Sequence, residues 1–102
     1  MFEWDDGKNA RNVAKHGISF ALAKRIFEGP VLTAVDDRAD YGELREVSIG
    51  MVDGAAVLTV VHTDRQGTVR IISARAASRS ERRRYEEALR QADDRTRDRG
   101  DT

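Results

Sequence analysis

The most constraining feature of this chain is a series of β-type segments joined by tight-turn signals between residues 45 and 74. In Arg45–Met51 apolar residues alternate with polar or small ones, which is the period of a half-buried strand. Val57–Thr63 is largely β-branched and apolar on both faces, which is typical of a central strand. Asp53-Gly54 between them is a strong signal for a two-residue hairpin turn. These segments predict an antiparallel sheet.

Helical spacing and turn residues place further elements on both sides of these strands. Gly17 is expected to stop a first helix, Gly29-Pro30 to end a second one, and Ser78 and Glu81 have the form of a capping box for a third. The predicted elements are two helices, four strands and a last helix, over residues 7–16, 19–27, 31–36, 45–51, 57–63, 68–74 and 79–92. The expected fold is α+β: two N-terminal helices, a four-stranded antiparallel meander sheet and a C-terminal helix.

The length of 102 residues fits one domain with a modest core. Residues 1–92 are predicted to form it, and residues 93–102 (DDRTRDRGDT), which contain no apolar side chain, are predicted to be a disordered tail. The chain has no cysteine, which excludes disulfides and a cysteine nucleophile. The start lacks the features of a signal peptide and no apolar run approaches a membrane span, so a cytoplasmic protein is expected.

The charges of the chain balance overall but are unevenly placed. Lys+Arg and Asp+Glu each number 18. From Asp64 to Arg84 seven arginines face two acids, whereas Asp36–Glu46 contains five acids and two arginines. This layout suits a local anionic ligand better than general coating of nucleic acid.

The turn Asp64–Gly67 (DRQG) predicts a register for the last hairpin. Asp at its first position and Gly at its fourth fit a type I turn with a glycine bulge. Asp64 then faces Thr68, and His62 lies directly across from Arg70, with Cβ atoms about 5 Å apart. A two- or four-residue loop would instead place the two on opposite faces.

A histidine and an arginine this close fit RNA cleavage without a metal. The ribose 2′-hydroxyl needs a base, the pentacoordinate phosphorane needs positive charge, and the 5′-oxygen needs a proton. Histidine exchanges a proton near neutral pH, and arginine presents a planar fork of donors to phosphate oxygens. The alternative is structural: a lone histidine at a strand end is more often not a catalyst, and the arginines of the last helix form by default a solvated face.

Three blocks of the sequence resemble the BrnT family. FEWDDGKNARNVAKHGISFALAKRIFEGP matches its N-terminal signature, DDRADYGELREVSIG continues the match, and VVHTDRQGTVRIISARAASRSERRRYEE is the most specific block. Together they cover about Phe2 to Glu87 in order. The resemblance implies a ribonuclease toxin of a bacterial type II toxin-antitoxin system, with a RelE-like fold, that inhibits translation by degrading RNA.

The family motifs also imply site residues. The catalytic candidates are His62, Arg70 and Arg75, with His62 handling a proton and the two arginines holding the scissile phosphate. The RNA-binding candidates, with less weight on the last three, are Arg79, Tyr85, Lys8, Lys15 and His16. Tyr85 is expected to stack on or hydrogen-bond to the RNA. Strict alternation places Arg75 on the face opposite Arg70 unless the strand has ended or bulged by Ala74. No metal or cofactor is expected.

The implied partners are an RNA substrate and a BrnA-like antitoxin with a ribbon-helix-helix domain. Operator DNA is expected to be contacted only through this antitoxin, in a 2:2 heterotetramer, and no membrane is involved. The alternative is a non-catalytic, toxin-like module that acts only as partner and co-repressor of a DNA-binding antitoxin.

Overall fold

The structure, a computed structural model, describes residues 1–36 and 43–100, with side chains described up to residue 93. The three helices are α1 (Asp6–His16), α2 (Phe20–Ala23), which continues as the 3-10 helix Lys24–Glu28, and α3 (Arg79–Gly100). The five strands are β1 (Phe2–Trp4), β2 (Val31–Asp36), β3 (Arg45–Val52), β4 (Ala56–Arg65) and β5 (Thr68–Ala76). Within the described residues no helix is long and apolar enough to span a membrane.

The sheet corrects the predicted four-stranded antiparallel meander. It has five strands in the order β1-β5-β4-β3-β2, and β1 runs parallel to β5, so it is mixed; the α+β class is right. Strand β1 contains only three residues, too few to show an alternating pattern in the sequence. Its two aromatic side chains, Phe2 and Trp4, pack against the core and anchor it.

The helix ends at Gly17 and Ser78 follow the predicted capping chemistry. Asp5 accepts a hydrogen bond from the backbone N–H of Lys8 at 2.9 Å and caps α1, and Gly17 ends it in the left-handed conformation with φ 71°. The capping box of α3 is confirmed: Ser78 Oγ accepts from the Glu81 N–H at 3.2 Å, and Glu81 accepts from the Ser78 N–H at 2.8 Å. However, the predicted second helix is split between α2 and the 3-10 helix.

Two predicted segments, the acidic segment after β2 and the C-terminal tail, lie partly outside the residues that the structure describes. The acidic segment predicted after β2 lies largely in residues 37–42, outside the described residues. Helix α3 continues to Gly100, past the end at residue 92 that apolar spacing indicated. The disorder of residues 93–102 stays a prediction, and residues 101 and 102 lie outside the described residues.

The sheet has two faces with separate apolar clusters. The N-helix face, covered by α2 and the 3-10 helix, holds the main core, with Phe20, Ile26, Val60 and Ile71 at most 1% exposed. The C-helix face is partly covered by α3 and holds a smaller cluster. That smaller cluster is built from Ile49, Val57 and Tyr85. Since the smaller cluster fills only part of the C-helix face, a cleft is left open between that face and α3.

Helix α1 covers the outer edge of β5 beyond β1. Strand β1 pairs only with Val69–Ile71, which leaves the backbone of Ala74 without a strand partner on that side. The buried side chain of Asn12 takes the partner's place: its amide donates to the Ala74 carbonyl at 2.8 Å and accepts from the Ala74 N–H at 3.1 Å. It also donates to the Ile18 carbonyl at 2.8 Å. This one side chain therefore ties α1 to the sheet edge.

The predicted register of the β4–β5 hairpin is wrong. Arg65 pairs with Thr68, so the turn is a two-residue one, with Gln66 and Gly67 both at positive φ (54° and 87°). His62 consequently pairs with Ile71 rather than with Arg70. Since glutamine seldom adopts positive φ, nothing in DRQG signalled this turn type.

A β-bulge in β5 changes the faces of the residues that follow it. The pairing shifts from His62–Ile71 to Val61–Ser73, so that Ile72 is the extra residue on β5. One extra residue reverses the alternation. Arg70 and Arg75 therefore lie on the same face of the sheet. The sequence analysis expected opposite faces unless the strand had ended or bulged by Ala74, and the structure shows such a bulge.

Candidate functional site

A cleft of about 370 Å³ lies between the C-helix face and the first turns of α3. Its floor includes Thr59 and Val61 of β4 and Ser73 of β5. The bulge at Ile72 brings Ser73 to this face, and the tight start of α3 after Ser78 sets the helix against it. The shape of the cleft therefore depends on the bulge in β5 and on the short connection that leads into α3.

Arg75 and Glu81 form one wall of the cleft. The Arg75 guanidinium donates Nη1–H to Glu81 Oε1 at 2.7 Å and Nη2–H to Oε2 at 3.0 Å, the two-point geometry of a strong ion pair. Thr59 Oγ1 donates to the same carboxylate at 3.1 Å. The hydrogen bonds from Arg75 are the main cause that lowers the pKa of Glu81 from 4.5 to about 2. Glu81 is therefore ionised at neutral pH and fixes the direction of Arg75.

Arg84 is a second arginine of the cleft lining, on α3 like Glu81, and was not identified from the sequence. Its side chain is exposed and lines the cleft, and it makes no ion pair with any residue that the structure describes. Arg84 lies one turn after Glu81 on α3, so it projects on the same side of the helix. In the sequence it is the last of three consecutive arginines, and nothing distinguishes it from the other two.

Arg70 lies on the C-helix face but outside the cleft. It pairs across the sheet with Thr63, whereas Arg75 pairs with Thr59. Four residues of β4 separate those positions, so the two arginine Cα atoms are about 13 Å apart. Arg70 Nη1 lies 3.6 Å from a carboxylate oxygen of Glu3, with the Arg70 side chain 27% exposed. Its guanidinium is held at the β1 end of the same surface.

His62 lies on the N-helix face, away from both arginines. It is 5% exposed, its Nε2 is hydrogen-bonded to Ser48 Oγ at 2.7 Å, and the Phe27 ring packs edge-on at 5.1 Å. Its Nδ1 is buried without a hydrogen-bond partner among the described residues. Burial lowers the pKa of His62, partly offset by Glu46 and Asp64. The structure therefore does not bring His62 to the cleft.

Two residues of α3 that the family motif suggested also lie outside the cleft lining. Tyr85 is 2% exposed, and its hydroxyl donates to the Pro30 carbonyl at 2.8 Å. It belongs to the apolar cluster of the C-helix face, so its ring is not available for stacking on a base. Arg79 is the first residue of α3 and is exposed.

The three candidates of the N-terminal signature lie together. Lys8, Lys15 and His16 are exposed on α1 and line a second groove of about 370 Å³, which also contacts Ser73. Ser73 is thus shared between this groove and the cleft. In the described part of the chain, no group of three or more His, Cys, Asp or Glu residues is placed to hold a metal ion.

Both a protein family and a solved structure match this chain. The family described as "Ribonuclease toxin, BrnT, of type II toxin-antitoxin system" matches residues 4–81. Among solved structures, the 1.1 Å crystal structure of the Brucella abortus ribonuclease toxin BrnT is similar, with a TM-score of 0.58 and 29% sequence identity. The match covers 78% of this chain and 99% of that one. No curated protein matches.

Proposed function

The chain belongs to the BrnT family of ribonuclease toxins of type II toxin-antitoxin systems, and on this premise we propose that it is a metal-independent endoribonuclease that cleaves RNA in the Arg75–Arg84 cleft. The observation that carries the proposal is that two arginines, Arg75 of β5 and Arg84 of α3, line one cleft, the first of them held by a carboxylate of lowered pKa. Such a pair is suited to a phosphate whose negative charge increases during reaction.

The proposed reaction is attack by a ribose 2′-hydroxyl on the adjacent phosphorus. The 2′-oxygen–phosphorus bond forms and the phosphorus–5′-oxygen bond breaks, which leaves a 2′,3′-cyclic phosphate and a 5′-hydroxyl. Arg75 and Arg84 stabilise the pentacoordinate phosphorane, and Ser73 on the floor offers a hydroxyl to the same group. Arg70 and Arg79 are assigned to neighbouring phosphates.

Proton transfer is assigned to water. Glu81, with a pKa of about 2 and its oxygens occupied by Arg75, is a poor base at neutral pH. His62 is buried behind the sheet and cannot reach the 2′-hydroxyl while the fold is intact. The cleft therefore acts mainly by electrostatic stabilisation and orientation, and His62 and Tyr85 are assigned to the support of the fold.

The proposed biological role is that of a toxin that stops translation by degrading RNA in the cytoplasm. As a member of a type II system it has an antitoxin partner. We assign this partner to the BrnA-like, ribbon-helix-helix class, in a 2:2 complex that contacts operator DNA through the antitoxin alone. Membership of the BrnT family supports the role of a ribonuclease toxin with an antitoxin partner.

Purified protein and single-stranded RNA test the proposal. Cleavage is expected to persist in EDTA and to yield 5′-hydroxyl ends. Arg75→Ala and Arg84→Ala should each lower the rate about 10²–10³-fold, the usual effect of removing one transition-state donor. Arg82→Ala is the matched control, since Arg82 is an exposed arginine of the same helix that does not line the cleft.

The outcomes separate the alternatives. If Arg82→Ala and Arg84→Ala lost the same activity, or if EDTA abolished cleavage, the assigned site or its metal independence would be wrong. If the wild-type protein neither cleaved RNA nor arrested bacterial growth, yet bound its antitoxin and joined it on operator DNA, it would be a non-catalytic co-repressor.

A further inference from the structure

The groove between α1 and the bulged edge of β5 is lined by basic residues on one side. Lys8, Arg11, Lys15 and His16 come from α1, with Asn12 beneath them, and Ile72 and Ser73 come from β5. Positions 8, 11 and 15 lie on one side of a helix, three and four residues apart. The rise of a helix places Lys8 and Lys15 about 10 Å apart along its axis. The groove therefore has a row of positive charge along its length.

These cations are available to a ligand. Lys8, Arg11 and Lys15 are exposed, and within the described residues none of them forms an ion pair. No acidic residue lines the groove. By contrast, Arg65 and Arg75 are each paired with a carboxylate. The row is thus a locally positive surface on a chain whose charges balance overall.

The row is also held in place relative to the cleft. Asn12, on the same side of α1, is buried and makes two hydrogen bonds to the backbone of Ala74. Ala74 lies between Ser73 and Arg75 in β5, so the anchor of α1 is adjacent to the cleft residues. Because the helix that carries the row is fixed in this way, a ligand has to order only the side chains and not the backbone, which reduces the entropy cost of binding.

The groove and the cleft share one lining residue. Ser73 lines both, because the bulge at Ile72 turns its side chain towards the C-helix face at the point where α1 approaches. A strand lying over Arg75 and Arg84 and leaving over Ser73 enters the α1 groove directly. Polyanions that reach the cleft therefore have an adjoining cationic path in the α1 groove.

We propose that the α1 groove binds the backbone phosphates of the single-stranded RNA that flanks the scissile bond, through Lys8, Arg11 and Lys15. This inference rests on the proposed ribonuclease function and extends its site from one phosphate to a path of several. Nucleic acid is favoured over a protein partner because the groove is lined by four basic residues and by Ile72 as its one large apolar side chain.

Binding of 2′-O-methyl RNA tests this path independently of cleavage, since such RNA lacks the attacking hydroxyl. The probes are a labelled single strand of about 12 nucleotides and one of about 4, which spans the cleft alone. Affinity is measured by fluorescence anisotropy at several salt concentrations. The variant is the triple substitution Lys8→Ala, Arg11→Ala and Lys15→Ala. The control, Lys24→Ala with Arg25→Ala and Arg65→Ala, removes the same charge at exposed positions elsewhere.

Each phosphate contact contributes about −0.7 to the slope of log affinity against log salt concentration for a single strand. The groove variant should therefore have a slope about 2 units shallower for the long probe. Between about 50 and about 200 mM salt, the wild-type affinity should fall about 20-fold more than that of the variant. The short probe should bind both proteins alike, and the control variant should keep the wild-type slope for the long probe.

Three results overturn the inference: an unchanged slope for the groove variant, an equal loss in the control variant, or a loss of antitoxin binding with RNA binding intact. The last result would make the groove a protein-docking surface. Failure of the proposed function would give a different result. A wild-type protein that bound the long probe with the steeper slope but cleaved no unmodified RNA would support the groove and contradict the ribonuclease reaction.

Discussion

The Glu81 carboxylate accepts hydrogen bonds from both terminal nitrogens of Arg75, at 2.7 and 3.0 Å, and thereby links the start of α3 to the end of β5. The link serves the fold and the cleft at once. It closes α3 onto the sheet after a connection of only two residues, and it points a guanidinium into the cleft. Glu81 is a positioning residue in this arrangement, since it acts through Arg75.

Glu81→Gln should lower both stability and the cleavage rate. The neutral amide loses the two-point ion pair, which we expect to cost about 1–3 kcal/mol of unfolding free energy at pH 7. A misplaced Arg75 should reduce kcat up to about 10²-fold with little change in KM. Urea denaturation and steady-state cleavage measure the two effects. Glu86→Gln, an exposed acid of the same helix, is the control, and equal kcat values for the two variants would show that Glu81 does not position Arg75.

The same pair predicts a dependence of stability on pH. The pKa of Glu81 falls from 4.5 to about 2 on folding, so the folded state favours the ionised form. Its contribution is fully present above about pH 4.5 and is lost as the pH falls towards 2. Urea midpoints between pH 5 and pH 3 should therefore decrease more for the wild-type protein than for Glu81→Gln. Parallel curves would contradict this assignment.

Buried His62 predicts a second and separate pH dependence. Burial holds its pKa below the ordinary value of 6.5, so the folded state favours the neutral imidazole. Stability is then full above pH 6.5 and decreases as the pH falls, by at most about 1.4 kcal/mol per pH unit. Unfolding titrations between pH 7.5 and pH 5 should show this decrease, and His62→Phe should remove it.

The cleavage activity of the same variant separates a structural role from a catalytic one. His62→Phe keeps an aromatic side chain beside Phe27 but cannot transfer a proton. If the fold is retained, we expect cleavage at near wild-type rate. Loss of cleavage in a folded His62→Phe protein would restore His62 to the catalytic candidates.

Local signals in the sequence were sufficient for most elements. The caps at Gly17 and Ser78 depend on one or two side chains and their own backbone, so residue types alone identify them. The signal at Asp53-Gly54 located a hairpin, but Val52 pairs with Ala56, so its loop has three residues and not the predicted two. The strand Val31–Asp36 was also predicted with the bounds that the structure shows. Such features are independent of the rest of the fold.

Features that depend on distant contacts were missed. Strand β1 forms because Phe2 and Trp4 find a core built by later residues, and three residues carry no period of their own. The bulge at Ile72 is fixed by pairing and by the approach of α1, and it decided which arginines share a face. The run of arginines in α3 concealed Arg84, since only the packing of the helix shows which of them faces the cleft.

Asn12 should be among the most sensitive polar positions. Asn12→Ala removes three hydrogen bonds and leaves the buried backbone groups of Ala74 and Ile18 unpaired, which we expect to cost about 2–4 kcal/mol. Asn12→Asp keeps an acceptor for the Ala74 N–H but sets a carboxylate against two carbonyls, so it should be no more stable than alanine at pH 7. Val13→Ala, at a 44% exposed neighbour, is the control in chemical denaturation. An Asn12→Ala protein as stable as this control would exclude the edge-anchoring role.

Gly50 and Gly29 form a matched pair for the packing of β3 against the 3-10 helix. A Cβ added at Gly50 would lie 2.7 Å from Ile26 Cβ and 3.1 Å from Val31 Cγ1, closer than packed carbon atoms approach. Because Ile26 is fully buried and its contact atom is next to the backbone, it cannot move aside without shifting the 3-10 helix. Gly50→Ala should therefore destabilise the protein by about 2 kcal/mol through overpacking.

At Gly29, by contrast, an added Cβ meets nothing within 4 Å and the backbone φ of −127° is one that alanine adopts freely. Gly29→Ala should therefore be neutral or stabilise the chain by up to about 1 kcal/mol, because it restricts the unfolded state. Thermal and urea unfolding of the two variants side by side measure the difference. Equal stability of the Gly50→Ala and Gly29→Ala proteins would mean that the 3-10 helix does not lie as close to β3 as the structure places it.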